Sequence, residues 1–552
     1  MRTARTAFAL LAALGVSGGA LAQSSPPAAS VAPRPRLVVV ISVDQMSYDY
    51  LGRFRPLFTG GLKTLVERGA VFSNARYRHA NCETGPGHSV ILSGRNGLHS
   101  GIVANAWYDE SLGRAVNVVD DASVSPVGGA GRAASPANFI GFTLGDVLKK
   151  SQPGARVVGV SLKDRAAILM AGPRADAAYW YEQGNGRFIT SSYYMKTAPS
   201  WLDAINARRI PDSYAGKAWT KLLPDESLYR KHAGEDSVAT EADLKDIVFP
   251  HTIAGAPGTP AFYDNFRRTP WADELTLDVA LAAMEAHGLG DDAVSDILAI
   301  GFSATDVIGH AYGPDSHEIM DQILRLDRTL QRLMDAVKAK VGPDGAVFVL
   351  TADHSVMPLV ERLQAQGLPA KRVIPADLRA AGMAALAKRF PAAKDLVGAY
   401  LAPDFYLNLP SIARQGLHRA DVEKTLADAL MATGVVAKVY TASSFAGDPP
   451  SAVDDPYFDP VQRSYFAPRS AHVIARLKEY MYLTASPGGT GHGTSYEYDR
   501  HVPVAFLGPS IKAGAYDGEA APEDIAPTLG VLLGIDYPLQ DARRRLTEMI
   551  QP

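Results

Sequence analysis

The sequence predicts an α/β fold with a mostly parallel central sheet and helices on both of its faces. The first observation is a set of apolar, β-branched runs without polar alternation, which is typical of strands buried on both faces. These runs are residues 37–43, 157–162, 297–302 and 346–351. The second observation is that helical patterns lie between them. The third is that each run leads into polar residues, and open α/β sheets bind ligands beyond the carboxyl ends of their strands.

The helical patterns fall at residues 62–68, 275–286 and 319–340. The last of these repeats apolar residues at Ile319, Ile323, Leu326, Leu330 and Leu333, a spacing that places them on one helical face. Strands that alternate with helices are connected as a parallel sheet. Near the end of the chain, residues 502–507 are predicted to return to the sheet, and residues 525–535 to form a closing helix.

Two long segments interrupt this alternation and predict loop-rich insertions over the site, at about 171–271 and 365–482. The first is rich in Tyr, Trp, Pro and Gly and could cover a pocket. The second contains a predicted helix at 421–431 and predicted strands at 471–477 and 480–483.

The amino terminus has the pattern of a secretory signal peptide at residues 1–22. Arg2 and Arg5 precede an apolar run, and Ala-Leu-Ala at 20–22 fits a cleavage site. The run is shorter than the ~20 residues of a membrane span, so we expect export to the periplasm without a membrane anchor. Residues 23–35 predict a flexible lead-in, and residues 36–552 a single domain that contains both insertions.

The composition and net charge of the chain limit the classes of molecule that it can bind. A chain of 552 residues with 47% hydrophobic content can bury a large core, and its formal net charge of −3 argues against nucleic acid as a structural partner. Cys82 is the single cysteine, so the chain has no intramolecular disulfide. The sequence leaves the oligomeric state open.

One hydroxyl, that of Thr84, is predicted to lie in the first turn of a helix. Gly85-Pro86-Gly87 suits a helix opening, and the apolar residues 90–92 continue the helix. The unpaired backbone N–H groups of such an end attract anions, phosphate above all. Thr84 is therefore our candidate nucleophile; the alternative is that it only caps the helix.

A set of carboxylates and imidazoles predicts a metal site beyond the strand ends. Asp306 and His310 are four residues apart, Asp353 and His354 are adjacent, and glycines flank His492. Each of these patterns is weak alone. The full set of candidate ligands is Asp44, Thr84, Asp306, His310, Asp353, His354 and His492. Mixed oxygen and nitrogen ligands suit zinc, and two ions could activate a nucleophile and stabilise a leaving oxygen. His88, one turn into the helix, is expected to support the site rather than bind metal.

Taken in order, these motifs resemble the alkaline phosphatase superfamily. The resemblance is carried by Asp44-Gln-Met, Asn81-Cys-Glu-Thr84-Gly-Pro-Gly-His-Ser, Asn105, Lys163-Asp-Arg165, Asp306-Val-Ile-Gly-His310, Asp353-His354 and Gly491-His492-Gly. The chain is most similar to periplasmic, phosphate-irrepressible alkaline phosphatases, the branch that resembles nucleotide pyrophosphatase/phosphodiesterases. The resemblance implies an alkaline-phosphatase-like catalytic domain and two zinc ions.

The same resemblance implies roles for single residues. One zinc would be bound by Asp306, His310 and His492, and the other by Asp44, Asp353, His354 and the Thr84 oxygen. A phosphothreonine intermediate would form at Thr84. Asn105 would bind the phosphate.

Lys163 and Arg165 point to the substrate class. Two extra cations favour the dianion of a phosphate monoester over the monoanion of a diester. The resemblance implies a monoesterase pair at these positions. We therefore expect a phosphatase of broad specificity acting on small-molecule phosphate monoesters. Two alternatives stay open: a phosphodiesterase or nucleotide pyrophosphatase with the same two metals, and a non-catalytic zinc-binding protein.

Overall fold

The structure is a computed structural model that describes residues 34–241, 244–447 and 450–551. The predicted signal peptide, residues 1–22, and all but the last two residues of the predicted lead-in, 23–35, lie outside the described residues. The described residues form one compact unit.

In chain order, the strands of the described residues are β1 (Leu37–Val43), β2 (Ala70–Phe72), β3 (Ala106–Asp109), β4 (Arg114–Asn117), β5 (Pro126–Val127), β6 (Val157–Ser161), β7 (Ala177–Glu182), β8 (Arg187–Ser191), β9 (Ala218–Trp219), β10 (His251–Thr252), β11 (Asp296–Phe302), β12 (Ala346–Thr351), β13 (Lys371–Val373), β14 (Val397–Leu401), β15 (Asp404–Leu407), β16 (Val436–Thr441), β17 (Val473–Leu477), β18 (Met481–Leu483), β19 (Val504–Leu507) and β20 (Gly514–Tyr516).

The α-helices, again in chain order, are α1 (Asp49–Arg53), α2 (Gly61–Arg68), α3 (Thr84–Ile91), α4 (Gly97–Ser100), α5 (Leu144–Ser151), α6 (Asp164–Ala171), α7 (Ser200–Ala207), α8 (Glu226–Ala233), α9 (Pro260–Phe266), α10 (Trp271–Ala286), α11 (Ala304–Tyr312), α12 (His317–Val341), α13 (Val360–Ala365), α14 (Pro375–Arg389), α15 (Leu409–Arg414), α16 (Arg419–Ala432), α17 (Phe458–Arg463), α18 (Glu497–Arg500) and α19 (Ile525–Leu533).

A ten-stranded sheet forms the centre, in the order β20-β2-β19-β12-β1-β11-β6-β7-β8-β5. Its middle strands β12, β1, β11, β6 and β7 run parallel. β19 pairs antiparallel with β12, and β8 antiparallel with β7. The predicted fold class, an α/β protein with a mostly parallel central sheet, is confirmed.

Helices cover both faces of this sheet, and every residue of β1 is therefore buried. Leu37, Val39 and Ile41 pack on one face with apolar residues of α2, α10 and α12. Val38 and Val40 pack on the other face with α5 and α19. Burial on both faces explains why the strand is continuously apolar.

The first predicted insertion differs from the sequence-based expectation. Within 171–271, β7 and β8 join the central sheet, and α7, α8 and α9 follow them. Tyr179, Trp180 and Tyr181 lie in β7 and are buried. These aromatic side chains favour strands, a signal that the Pro and Gly residues around them obscured.

The second predicted insertion contains a small layer of its own. β14, β15, β17 and β16 form a four-stranded sheet, with α14 and α16 against it around a separate apolar cluster. The predicted helix at 421–431 corresponds to α16, and the predicted strands at 471–477 and 480–483 correspond to β17 and β18.

In residues 34–241, 244–447 and 450–551, every helix is too short or too polar to span a lipid bilayer.

Candidate functional site

Four neighbouring parallel strands end at one edge of the sheet, and most of the candidate residues follow them. Asp44 comes directly after β1, Asp353 and His354 follow β12, Lys163 and Arg165 lie at the start of α6 after β6, and Asp306 and His310 lie on α11 after β11. β1 lies between β11 and β12, so these residues converge where the sequence pattern predicts a ligand site.

Thr84 is the first residue of α3 and is buried. Its helix lies against the loop after β12, where a Cβ on Gly87 would overlap the carbonyl oxygen of Asp353. Glycine at this position is therefore needed for the close approach. At the helix start, the Gly85 N–H donates to Asn105 Oδ1 at 2.8 Å. This bond holds Asn105 beside Thr84.

Asp306 is the centre of the first group of candidate ligands. Its Oδ1 lies 3.2 Å from His310 Nε2 and 3.6 Å from His492 Nε2. The rings of His354 and His492 stack with centroids 3.5 Å apart. One ligand atom each from Asp306, His354 and His492 lies within 4.8 Å of the others.

Asp44 and Asp353 form the second group with His354. His354 Nε2 lies 3.6 Å from Asp44 Oδ1 and 3.3 Å from Asp353 Oδ2. His354 thus lies between the two groups, whereas the resemblance assigns it to the second alone. All seven candidate ligands lie around one site.

The three imidazoles of the site present the same nitrogen to the carboxylates. Nδ1 of His310, His354 and His492 lies 2.8 Å, 3.0 Å and 2.7 Å from the carbonyl oxygens of Thr490, Ser355 and Cys82. A carbonyl accepts only, so each Nδ1 carries the proton and a neutral ring keeps its Nε2 lone pair free. Metal-ligating histidines are held in this way.

Several buried ligand atoms lack a hydrogen-bond partner among the described residues. They are Asp44 Oδ1, Asp353 Oδ2 and His354 Nε2. A buried polar atom without a partner costs free energy, and a divalent cation would satisfy carboxylate and imidazole lone pairs together. The donor set therefore fits a metal ion.

Charge and burial set the protonation states of the carboxylates. Burial raises the pKa of Asp44, and repulsion from Asp306 and Asp353 adds to the rise. Burial would also raise the pKa of Asp306, but the Lys163 ammonium and His310 hold it well below its ordinary value. His354 and His88 likewise lower the pKa of Asp353 against burial. Asp306 and Asp353 are thus anionic at neutral pH, the form that binds metals.

Burial also lowers the pKa of His354 well below its ordinary range. The ring is therefore neutral at neutral pH, with Nε2 available as a ligand atom.

Lys163 and Arg165 both reach the Thr84 hydroxyl. Lys163 Nζ and Arg165 Nη2 each lie 3.3 Å from Thr84 Oγ1. Lys163 Nζ also lies 2.7 Å from Asp44 Oδ2 and 2.6 Å from Asp306 Oδ2. One ammonium group therefore contacts a carboxylate from each of the two ligand groups.

The structure adds two residues that the sequence reasoning did not place in the site. Gln45, in a left-handed conformation with φ 66°, donates from Nε2 to Asp306 Oδ1 at 2.9 Å and from its backbone N–H to Asp353 Oδ1 at 3.1 Å. Glu83 accepts from the Asn105 backbone N–H at 2.6 Å. The one sequence signal for them is their position next to Asp44 and Thr84.

His88 Nδ1 lies 3.2 Å from Asp353 Oδ2, and one group of candidate ligand atoms joins it with Asp44 and Asp353. The same Nδ1 lies 2.9 Å from the Thr84 carbonyl oxygen, which requires a proton on this nitrogen. A protonated Nδ1 has no lone pair with which to bind a metal. The geometry therefore favours His88 as a support for Asp353.

Comparison with known proteins gives consistent matches over nearly the whole chain. Residues 38–496 match the family described as type I phosphodiesterase / nucleotide pyrophosphatase. The chain is 33% identical over 549 residues to alkaline phosphatase PafA of Elizabethkingia meningoseptica, with 98% of each chain covered. It is 31% identical over 527 residues to alkaline phosphatase PhoV of Synechococcus elongatus, covering 94% of this chain and 93% of PhoV.

Comparison with solved structures agrees with these sequence matches. The structure matches the crystal structure of wild-type PafA with a TM-score of 0.87 and 32% sequence identity, over 94% of this chain and all of that one. The two chains share one fold.

Proposed function

The chain belongs to the type I phosphodiesterase / nucleotide pyrophosphatase family, and we propose that it is an alkaline phosphatase that hydrolyses phosphate monoesters. The observation that carries this proposal is the position of Lys163 and Arg165, each 3.3 Å from the Thr84 hydroxyl. The alkaline phosphatase names of PafA and PhoV, which cover nearly the full chain, support it.

We propose two zinc ions as cofactors. Asp306, His310 and His492 would hold one, and Asp44, Asp353, His354 and Thr84 Oγ1 the other. Three buried atoms without a hydrogen-bond partner among the described residues, His354 Nε2, Asp44 Oδ1 and Asp353 Oδ2, support this assignment. When bound, zinc would lower the pKa of the Thr84 hydroxyl and stabilise negative charge on the leaving oxygen.

Thr84 is the proposed nucleophile. Its Oγ1 forms a bond to phosphorus while the bond from phosphorus to the ester oxygen breaks, which gives phosphothreonine and the free alcohol. Water then attacks the phosphorus, and phosphate leaves with regeneration of the Thr84 hydroxyl. The position of Thr84 at the start of α3 supports this role, because the helix N-terminus favours the negative charge of the phosphoryl group.

Three side chains would hold the phosphoryl oxygens during this transfer. Lys163 and Arg165 supply positive charge beside Thr84, and the Arg165 fork can bind two oxygens at once. Asn105 accepts from Gly85 through Oδ1, and the hydrogen bonds among the described residues do not use its Nδ2. Its amide N–H groups are thus available to a phosphoryl oxygen.

The charge of this site favours a monoester. A monoester dianion presents one more negative charge to Lys163 and Arg165 than a diester monoanion does, so the two cations stabilise it more.

A two-substrate assay tests the proposal. The kcat/KM of the zinc-loaded protein is measured on an aryl phosphate and on its methyl diester, which share one leaving group. We expect the monoester to be hydrolysed with much the higher kcat/KM. A preference for the diester would replace the proposal with a phosphodiesterase or nucleotide pyrophosphatase. No hydrolysis of either would favour a non-catalytic zinc-binding protein.

We also propose that residues 36–552 form one catalytic domain and that residues 1–22 direct its export to the periplasm. The pattern of the first 22 residues supports the second point.

A further inference from the structure

A cavity of about 270 Å³ adjoins the proposed phosphoryl site on the side of α11. Lys163, Arg165, Asp306 and His310 line one part of it. Arg267 and Arg268, from the loop between α9 and α10, line another part. The proposed reaction uses neither of these two arginines.

The lining carries more positive than negative charge. It contains four cations, Lys163, Arg165, Arg267 and Arg268, against one carboxylate, Asp306. Asp306 is already paired with Lys163 at 2.6 Å. Arg267 pairs with Asp264, whereas Arg268 has no ion pair or side-chain hydrogen bond among the described residues, and it is exposed.

The backbone that carries these arginines is firmly anchored. Phe266 on one side and Thr269 on the other are buried. Thr269 Oγ1 donates to the Phe266 carbonyl oxygen at 2.8 Å, and the Arg268 N–H donates to the Asn265 carbonyl oxygen at 3.0 Å. The arginines therefore face the cavity from a turn whose backbone is fixed, so that binding an anion orders their side chains but not the turn itself.

We propose that Arg267 and Arg268 form a second anion subsite, which selects phosphate monoesters whose leaving group carries a further carboxylate or phosphate. This inference rests on the monoesterase activity proposed above. A dianionic phosphoryl group engages Lys163 and Arg165, so the remaining positive charge is available to a second anionic group on the same molecule. Exposed pairs of this kind are modest in strength and weaken in salt.

Matched substrate pairs test the subsite. One pair is a phosphorylated hydroxy acid and its methyl ester; the other is a diol bisphosphate and the corresponding monophosphate. Each pair differs in one anionic group, so the two pairs separate carboxylate from phosphate selectivity. The ratio of kcat/KM within each pair is measured for the wild type, for Arg268→Ala, for Arg268→Glu and for Arg208→Ala. Arg208 is an exposed arginine outside the cavity lining and serves as the control.

In the wild type, we expect kcat/KM to be about fivefold higher for the more anionic member of at least one pair. Most of this difference should come from a lower KM for that member. The ratio should fall as ionic strength rises. Arg268→Ala should remove most of this preference and Arg268→Glu should reverse it, while Arg208→Ala keeps the wild-type ratio. Equal ratios in the wild type, Arg268→Ala and Arg268→Glu would overturn the subsite and leave the monoesterase proposal intact. No turnover of any of the four compounds by zinc-loaded wild type would overturn the proposed function, and the subsite with it.

Discussion

At the scale of single residues, two of the three histidines of the site depend on backbone atoms far from them in sequence. His310 Nδ1 bonds to the Thr490 carbonyl, and His492 Nδ1 to the Cys82 carbonyl. Each bond fixes the proton on Nδ1 and turns Nε2 toward Asp306. The loop around His492 therefore both supplies a candidate ligand and orients another.

The first prediction concerns Lys163 and Arg165. Replacing either residue by Ala should lower kcat/KM for the monoester by on the order of 10²-fold, because either substitution removes a charged contact to the transferring phosphoryl group. Diester hydrolysis should fall much less, since the diester carries one charge fewer. Steady-state kinetics on both substrates checks this. Equal losses on the two would contradict the charge-matching argument.

At the scale of elements, the placement of Thr84 depends on how closely α3 approaches the loop after β12. Gly87 lies against the Asp353 carbonyl, and Tyr77 donates from its hydroxyl to the Ala352 carbonyl at 2.7 Å. His88, on the same helix, contacts the Asp353 carboxylate. The proposed nucleophile and a candidate metal ligand are thus positioned by one helix-to-loop contact.

The second prediction follows from this contact. Gly87→Ala should push α3 away from Asp353 and lower activity by at least about tenfold, since misplacement of a catalytic group by 1 Å can cost on the order of 10²-fold. Gly52→Ala is the matched control, because Gly52 also lies in a helix and a Cβ there meets nothing within 4 Å. Activity and thermal unfolding are measured for both variants. Wild-type activity in Gly87→Ala would show that the close approach is not needed.

A buried carboxyl links three helices beneath the site. Asp273 on α10 accepts from the Ala304 N–H at 3.1 Å and from Gln322 Nε2 at 2.8 Å. Burial raises its pKa to about 7. The folded state therefore favours the protonated form of the Asp273 carboxyl. The stability that this carboxyl contributes is complete below its unfolded pKa of ~4 and is lost as pH rises toward about 7.

The third prediction is that Asp273→Asn stabilises the protein relative to wild type, and more at about pH 8 than at about pH 5.5, with a difference of about 2 kcal/mol. Gln322 Oε1 has no partner among the described residues, so this amide can turn to accept from the new side chain. Denaturant unfolding at both pH values, at fixed zinc concentration, measures the effect. Asp278→Asn, on the same helix and half-exposed, should change stability by less than about 0.5 kcal/mol. A pH-independent effect of Asp273→Asn would contradict the burial argument.

At the scale of the whole molecule, the sequence pattern predicts the strands and their polar ends because parallel strands buried on both faces are continuously apolar. The ligand motifs are recognisable because each is short and local. The pattern does not reveal that β7 and β8 extend the sheet, since their aromatic residues lie among turn residues. It also does not show that Arg267 and Arg268 line the cavity of Lys163 and Arg165, because that neighbourhood depends on long-range packing.

We propose above that side chains from distant parts of the chain hold two zinc ions beside a nucleophilic Thr84. The most direct measurement is a zinc titration of metal-stripped wild type and Thr84→Ala, with bound metal and aryl phosphate hydrolysis followed together. We expect close to two zinc ions per chain in each protein, activity that rises with zinc in the wild type, and at least about 10³-fold less activity in Thr84→Ala. Wild-type activity in zinc-loaded Thr84→Ala, or full activity of the wild type without metal, would contradict the claim.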